Sequence, residues 1–100
     1  MHKVTHQAVN AFNNNQAFKS GNTTVELSPL GYMVVMKLHG HAIARKDIEK
    51  GTIEVTSAGW ETTTTKERLN GLNGIKVNQK SGQWYLNGNA WHDSSIWTEV

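Results

Sequence analysis

Between Ser57 and Leu72 the chain changes its hydrophobic period, and that change restricts it to a mixed fold. Ile53 and Val55 alternate with Thr52, Glu54 and Thr56, the two-residue period of a strand with one buried face. Ala58-Gly59 breaks the alternation. Leu69 and Leu72 then lie three apart, with Lys66, Glu67 and Arg68 on the remaining surface, which is the spacing of a short helix. Thr64 and Glu67 have capping-box spacing and predict a helix that starts at Thr65, with Gly71 and Gly74 as stop signals. Two turns of helix are unstable alone, because nucleation costs more than so few hydrogen bonds return, so the two leucines must dock on a sheet. Trp60 directly follows Gly59, where the backbone is permissive, and is expected to fold back onto the sheet at least half buried.

The segments on either side supply the sheet and one more helix. Thr5 is read as the cap of a first helix from His6 to about Asn15, with Val4 and Val9 as a hydrophobic staple and Ala8, Ala11 and Phe12 as the buried stripe. Phe18 is expected to pack from the frayed end of that helix or the loop beyond it. Strands follow at Thr23 to Ser28, Tyr32 to His39, Ala42 to Arg45 and Thr52 to Ser57. Ser28-Pro29-Leu30-Gly31 turns between the first two, with proline at its favoured second position. The Tyr32 to Leu38 run is apolar on both faces over its first half and reads as the central strand. Leu38-His39-Gly40-His41 is a turn or bulge, and Lys46 to Gly51 a charged loop. After the second helix, Ile75 and Val77 open a strand, Lys80-Ser81-Gly82-Gln83 turns into Trp84-Tyr85-Leu86, and Asn87-Gly88 is the strongest tight-turn dipeptide present. Ile96 to Thr98 offers a last short strand. The expected fold is α+β, a mostly antiparallel sheet of five to six strands with two short helices on one face, in the order αββββαββ.

One hundred residues fit a single domain over 1–100, with one core and no cleft between domains. The absence of cysteine excludes disulfides, thiol nucleophiles and thiolate metal sites, and it suits a reducing cytoplasm. The longest apolar run, Tyr32 to Met36, is too short to span a bilayer, so a cytoplasmic protein is expected. The net charge of +2 comes from single, scattered basic residues, which permit nucleic-acid contact without directing it.

No arrangement of catalytic groups stands out. His39 and His41 straddle a glycine, but a catalytic zinc needs three protein ligands, and only the distant His2, His6 or His92, with Asp47 or Asp93, complete a set. His92-Asp93-Ser94 names the members of a triad, yet consecutive residues do not present nucleophile, base and orienting carboxylate in relay. The glycines lack the sequence context of a phosphate loop. Neither a metal nor a cofactor is expected, and the chain reads as non-enzymatic. The aromatics are more informative: of four tryptophans, Trp84, Trp91 and Trp97 fall within the last seventeen residues. Trp84 and Tyr85 must point to opposite faces of one strand, and rings of this kind anchor protein interfaces or stack on single-stranded nucleic acid.

The segment G-W-E-T-T-T-T-K-E-R-L-N-G-L, then I-K-V-N-Q-K and W-Y-L-N-G-N-A-W, preceded by L-H-G-H-A-I-A-R, resembles a pattern in small accessory proteins of tailed bacteriophages. The likeness spans Leu38 to Trp97 and carries over no catalytic residue. It implies a viral protein acting in the host cytoplasm, where proteins of this size bind and block a host or defence component. The expectation is therefore a phage accessory protein that works by protein–protein binding, as an inhibitor of a CRISPR or restriction type of defence. Its expected binding face is Trp84, Tyr85, Trp91 and Trp97, with Lys66 and Arg68 at the rim. The alternative is a nucleic-acid-binding module in which the same rings stack on bases while Lys66, Arg68, Lys76 and Lys80 hold phosphates. A homodimer closed by an edge strand or an aromatic patch is compatible with the same residues.

Overall fold

Short strands and tight turns dominate the computed structural model, which describes residues 2–100. In chain order the elements are α1 (Lys3–Asn13), β1 (Phe18–Ser20), β2 (Thr23–Leu27), β3 (Met33–Leu38), β4 (His41–Asp47), β5 (Ile53–Val55), α2 (Thr63–Asn70), β6 (Val77–Lys80), β7 (Gln83–Leu86), β8 (Asn89–Ala90) and β9 (Thr98–Glu99). The strands form two antiparallel sheets. The larger is a six-stranded meander, β1-β2-β3-β4-β5, closed at its far edge by β9, and the smaller is β6-β7-β8. The α+β class holds, but the order is not αββββαββ. Phe18 begins a strand rather than a loop, because Phe18, Lys19 and Ser20 pair with Val25, Thr24 and Thr23 around a two-residue turn. The last three strands also divide between two sheets, where one had been expected.

β3 takes the interior position that its apolar pattern predicts, paired with β2 on one side and β4 on the other. Val25, Val34, Met36, Leu38 and Val55 share one face of the large sheet and are buried. Between the pairs Met36–Ala44 and Lys37–Ala42 the register slips, leaving Ile43 without a partner. That bulge turns both Ile43 and Ala44 inward, which a regular strand cannot do with consecutive residues. Ala8, Ala11 and Phe12 of α1, Leu69 of α2, Leu72 and Ile75 after it, and Val77, Trp84 and Leu86 of the small sheet join the same buried cluster. Both helices and the small sheet thus cover one face, while the other carries the ion pairs Glu26–Lys37 and Arg45–Glu54.

Both helices start earlier than their sequence signals suggest. The N-cap of α1 is His2, with no side-chain cap bond, and Thr5 lies inside the helix. There Thr5 is fully buried, and its hydroxyl donates to Glu67 Oε1 at 2.5 Å and accepts from Arg68 Nη1 at 2.6 Å. The cap of α2 is Thr62, whose hydroxyl accepts from the Thr65 amide at 3.1 Å. With Thr62 as the cap, the capping-box position falls on Thr65, so Glu67 lies beyond it and serves this contact between helices. Gly71 follows α2 with ordinary right-handed dihedrals. Its requirement is space: an added Cβ would lie 2.6 Å from Val9 Cγ2 and 3.0 Å from Thr5 Cγ2. At the other end of α1, Lys46 Nζ donates to the carbonyl of Phe12 at 2.9 Å, placing a cation where helix carbonyls lack partners. Burial lowers the Lys46 ammonium below the usual lysine range.

Candidate functional site: a cleft beside Trp60

The segment where the hydrophobic period changes builds the wall of a cleft. Ala58 and Gly59 both have positive φ, 56° and 85°, and the Trp60 amide bonds back to the Ser57 carbonyl at 2.9 Å. Positive φ at both central residues is the tight-turn geometry that normally joins hairpin strands, and Ala58 adopts it against the preference of an L-residue. The turn directs Trp60 outward. It is 57% exposed, so the expectation of a ring at least half buried is corrected: the indole meets the sheet only beside His41, at the start of β4, and leaves more than half of the residue open.

Trp60 packs beside His41, ring centroids 5.9 Å apart and planes inclined by 35°. Together with Leu38, His39, Ile43, Ser57, Thr62, Thr64 and Thr65 they line a cleft of about 280 Å³. Three local devices hold its walls. The His39-Gly40 turn, again with positive φ at both residues, sets His41 opposite Leu38 on the core side of the sheet. Strand alternation puts Ile43 on the same side as His41, and the β4 bulge adds Ala44 to that side. On the opposite wall, the Ser94 hydroxyl gives its one proton to Glu61 Oε2 at 2.6 Å, so the Ser57 hydroxyl must donate to Ser94 Oγ, also at 2.6 Å, while it accepts from the Gly59 amide at 3.1 Å. The Ser57 amide and the Thr56 hydroxyl both reach the Ser94 carbonyl. Ser57 and Ser94 are buried. Their hydroxyls are occupied in locking the turn, and they link it to the segment before β9.

A polar cluster adjoins the cleft across α2. Arg68 is only 6% exposed; its Nε donates to Thr23 Oγ1 at 3.1 Å and its Nη1 to Thr5 and to the Glu67 carboxylate. His2 Nε2 stands 3.2 Å from the other Glu67 oxygen. Partial desolvation pushes the Glu67 carboxyl upward, but the Thr5 hydrogen bond, the His2 contacts and the Arg68 guanidinium outweigh it and hold the carboxyl below its ordinary range.

The residues expected from sequence to form one binding face are dispersed. Trp84 and Trp91 are 1% and 6% exposed and belong to the core, their rings 6.4 Å apart. Arg68 is buried in the helix contact, so it is not a rim residue. Lys66 bonds Gln79 Oε1 at 3.1 Å and lies over the Trp84 ring. Trp97 is half-buried beneath Arg45, whose guanidinium sits 4.1 Å from the ring centroid. Tyr85 alone faces outward on the small sheet, among Lys76, Asn78 and Lys80. The two catalytic patterns also come apart: the Asp93 carboxylate accepts from the Ser95 amide, and Asp47 sits at the opposite end of β4 from His41. Among the described residues no three His, Asp or Glu side chains converge as metal ligands, and no helix is long and apolar enough to cross a membrane.

Against known families, the model described as Kyanoviridae Gp96 protein matches residues 1–99. The chain belongs to that family. It is a phage protein, as the resemblance over Leu38 to Trp97 implied, and the family match extends across α1 and the first strands as well. No curated protein and no solved structure matches it. Sequence reasoning missed the cleft and Trp60 as its open ring. The available signal was Ala58-Gly59 itself, a dipeptide able to take positive φ twice and so to reverse the direction of the next side chain.

Proposed function

We propose that this phage protein is non-enzymatic and acts by binding a host protein, with the cleft beside Trp60 receiving an apolar or aromatic side chain of that partner. The observation that carries the reading is the exposed indole standing over a cleft walled by Leu38 and Ile43. A cleft of about 280 Å³ is large enough to receive one bulky side chain. Tryptophan is among the residues enriched at interface hot spots, and Thr62, Thr64 and His39 line the cleft beside it with polar side chains. Phage origin and size favour a bacterial defence component, of CRISPR or restriction type, as the partner, and blocking it as the effect.

The test is affinity capture from nuclease-treated host lysate with wild type and Trp60→Ala in parallel, after matching their melting temperatures. A single host protein retained by wild type and lost by the variant is the expected result, since a hot-spot truncation costs about 2 kcal/mol or more, roughly thirtyfold in affinity. Equal retention by both proteins rules the cleft out as the binding site.

A further inference from the structure

The small sheet has a second surface that the cleft does not use. Register sets its two faces: Val77 pairs with Leu86 and Gln79 with Trp84 on the inner side, while Asn78 pairs with Tyr85 and Tyr85 with Ala90 on the outer side. Asn78 and Lys80 alternate with the buried Val77 along β6 and project outward, Lys76 stands just before the strand, and the three surround a shallow depression with Tyr85 and Gly88. Two lysines four residues apart stand about 13 Å from one another along an extended chain. Tyr85 is half-buried; its cross-strand neighbour on the β8 side is Ala90, and Gly88 lies at the turn, so these two leave the outer part of the ring open. From Arg68 through His92 the sequence contains no carboxylate at all. Glu99 lies beyond β8, in a separate depression with Asn89 and Ala90, so the β6 side of this face is the cationic one.

The inner face explains why this surface is firm. Trp84 and Leu86 are anchored in the core, the Asn70 side chain covers the outer edge of β6 at Val77, and Asn87 extends the β7 pairing to Lys76. Asn70 Nδ2 donates to the Val77 carbonyl at 2.8 Å and its Oδ1 accepts from the Val77 amide at 2.6 Å, in the manner of a neighbouring strand. Asn87 Oδ1 accepts from the Lys76 amide at 2.7 Å, and its Nδ2 donates to the Gly74 carbonyl at 3.1 Å. Lys76 and Lys80 are therefore carried on a backbone held at Val77 by Asn70 and at Lys76 by Asn87.

The geometry points to single-stranded nucleic acid as the ligand of this outer face, with Tyr85 stacking on a base, Asn78 beside it offering a donor and an acceptor to the base edge, and Lys76 and Lys80 neutralising successive stretches of backbone. A flat, open surface with one aromatic ring and cations along one strand suits a splayed single strand. It does not suit a duplex, whose bases are stacked out of reach of a sheet face.

Fluorescence anisotropy with a labelled oligothymidylate of about twelve nucleotides, and its RNA counterpart, tests this. Wild type is expected to bind with an affinity that falls as salt rises, with a log–log slope near −1.4, that is about −0.7 for each of two neutralised phosphates. Lys76→Gln with Lys80→Gln is expected to flatten that slope, Tyr85→Ala to weaken binding by roughly 5- to 150-fold, Tyr85→Phe to leave it near wild type, and Trp60→Ala to leave it unchanged. The last variant separates this surface from the cleft, since its behaviour in lysate capture and in oligonucleotide binding differ. Amide shifts on titration are expected at Lys76, Asn78, Lys80, Tyr85 and Gly88; shifts clustered elsewhere overturn the assignment. So do a slope of zero, double-glutamine protein that binds as wild type does, and binding to anionic phospholipid vesicles in the absence of oligonucleotide binding.

Discussion

Glu67 shows most clearly how one side chain can be diverted from its local role. Its spacing from Thr64 suits a capping box, yet its carboxylate bridges the Thr5 hydroxyl, Arg68 and His2, and so joins α1 to α2. Because its folded-state pKa is depressed, the stability it contributes is fully present above the ordinary carboxylate range and is lost as pH falls through the folded value. Glu67→Gln leaves Arg68 buried without its counter-charge, which is expected to cost about 1–3 kcal/mol at neutral pH. In urea unfolding measured from neutral to acid pH, the gap between wild type and Glu67→Gln should shrink as wild type becomes protonated. A gap that stays constant with pH would show that the charge of Glu67 is immaterial and only its shape counts. Trp60 is the opposite case. A large apolar residue, expected inside, is presented to solvent because the two residues before it take positive φ.

At the scale of elements, the close approach of the helices depends on a residue with no side chain. Gly71 reads in sequence as a left-handed stop signal, but its φ is −72° and its place is taken by packing against Val9 and Thr5. Gly71→Ala gains helix propensity yet overpacks that contact, and the expected net loss is about 1–3 kcal/mol, seen as a lower urea midpoint with an unchanged slope. A midpoint at or above that of wild type would mean that Val9 moves aside freely. The hairpins behave differently, because their turns are local chemistry. His39-Gly40, Ser81-Gly82 and Asn87-Gly88 all take positive φ at both positions, as their composition predicts. The bulge at Ile43 has no such signal; it follows from the need to bury two consecutive residues beneath α1, α2 and the small sheet.

For the molecule as a whole, the segment after β8 is the tie between the two sheets. Trp91 packs on Trp84 of the small sheet, and its Nε1 donates to Thr98 Oγ1 of β9 at 3.0 Å, while β9 pairs with β5 of the large sheet. Trp91→Phe keeps much of the apolar burial and removes that hydrogen bond, with an expected cost of about 1–3 kcal/mol from the lost bond and the lost volume, while the Thr98 hydroxyl keeps its bond to the Ile96 carbonyl. Since one buried cluster draws on both sheets, unfolding followed by tryptophan fluorescence and by far-ultraviolet dichroism should remain coincident in this variant; separate transitions would show that the sheets fold independently. The sequence alone was enough to read the α+β class, the central place of β3, the tight turns and the opposed faces of Trp84 and Tyr85, because each follows from periods and dihedral preferences acting within a few residues. Only the tertiary structure decided that the strands divide into two sheets, that Trp84 and Trp91 are core while Trp60 is open, and that Arg68 is buried. Those outcomes depend on which distant segments compete to cover the same face, and no local period records that competition.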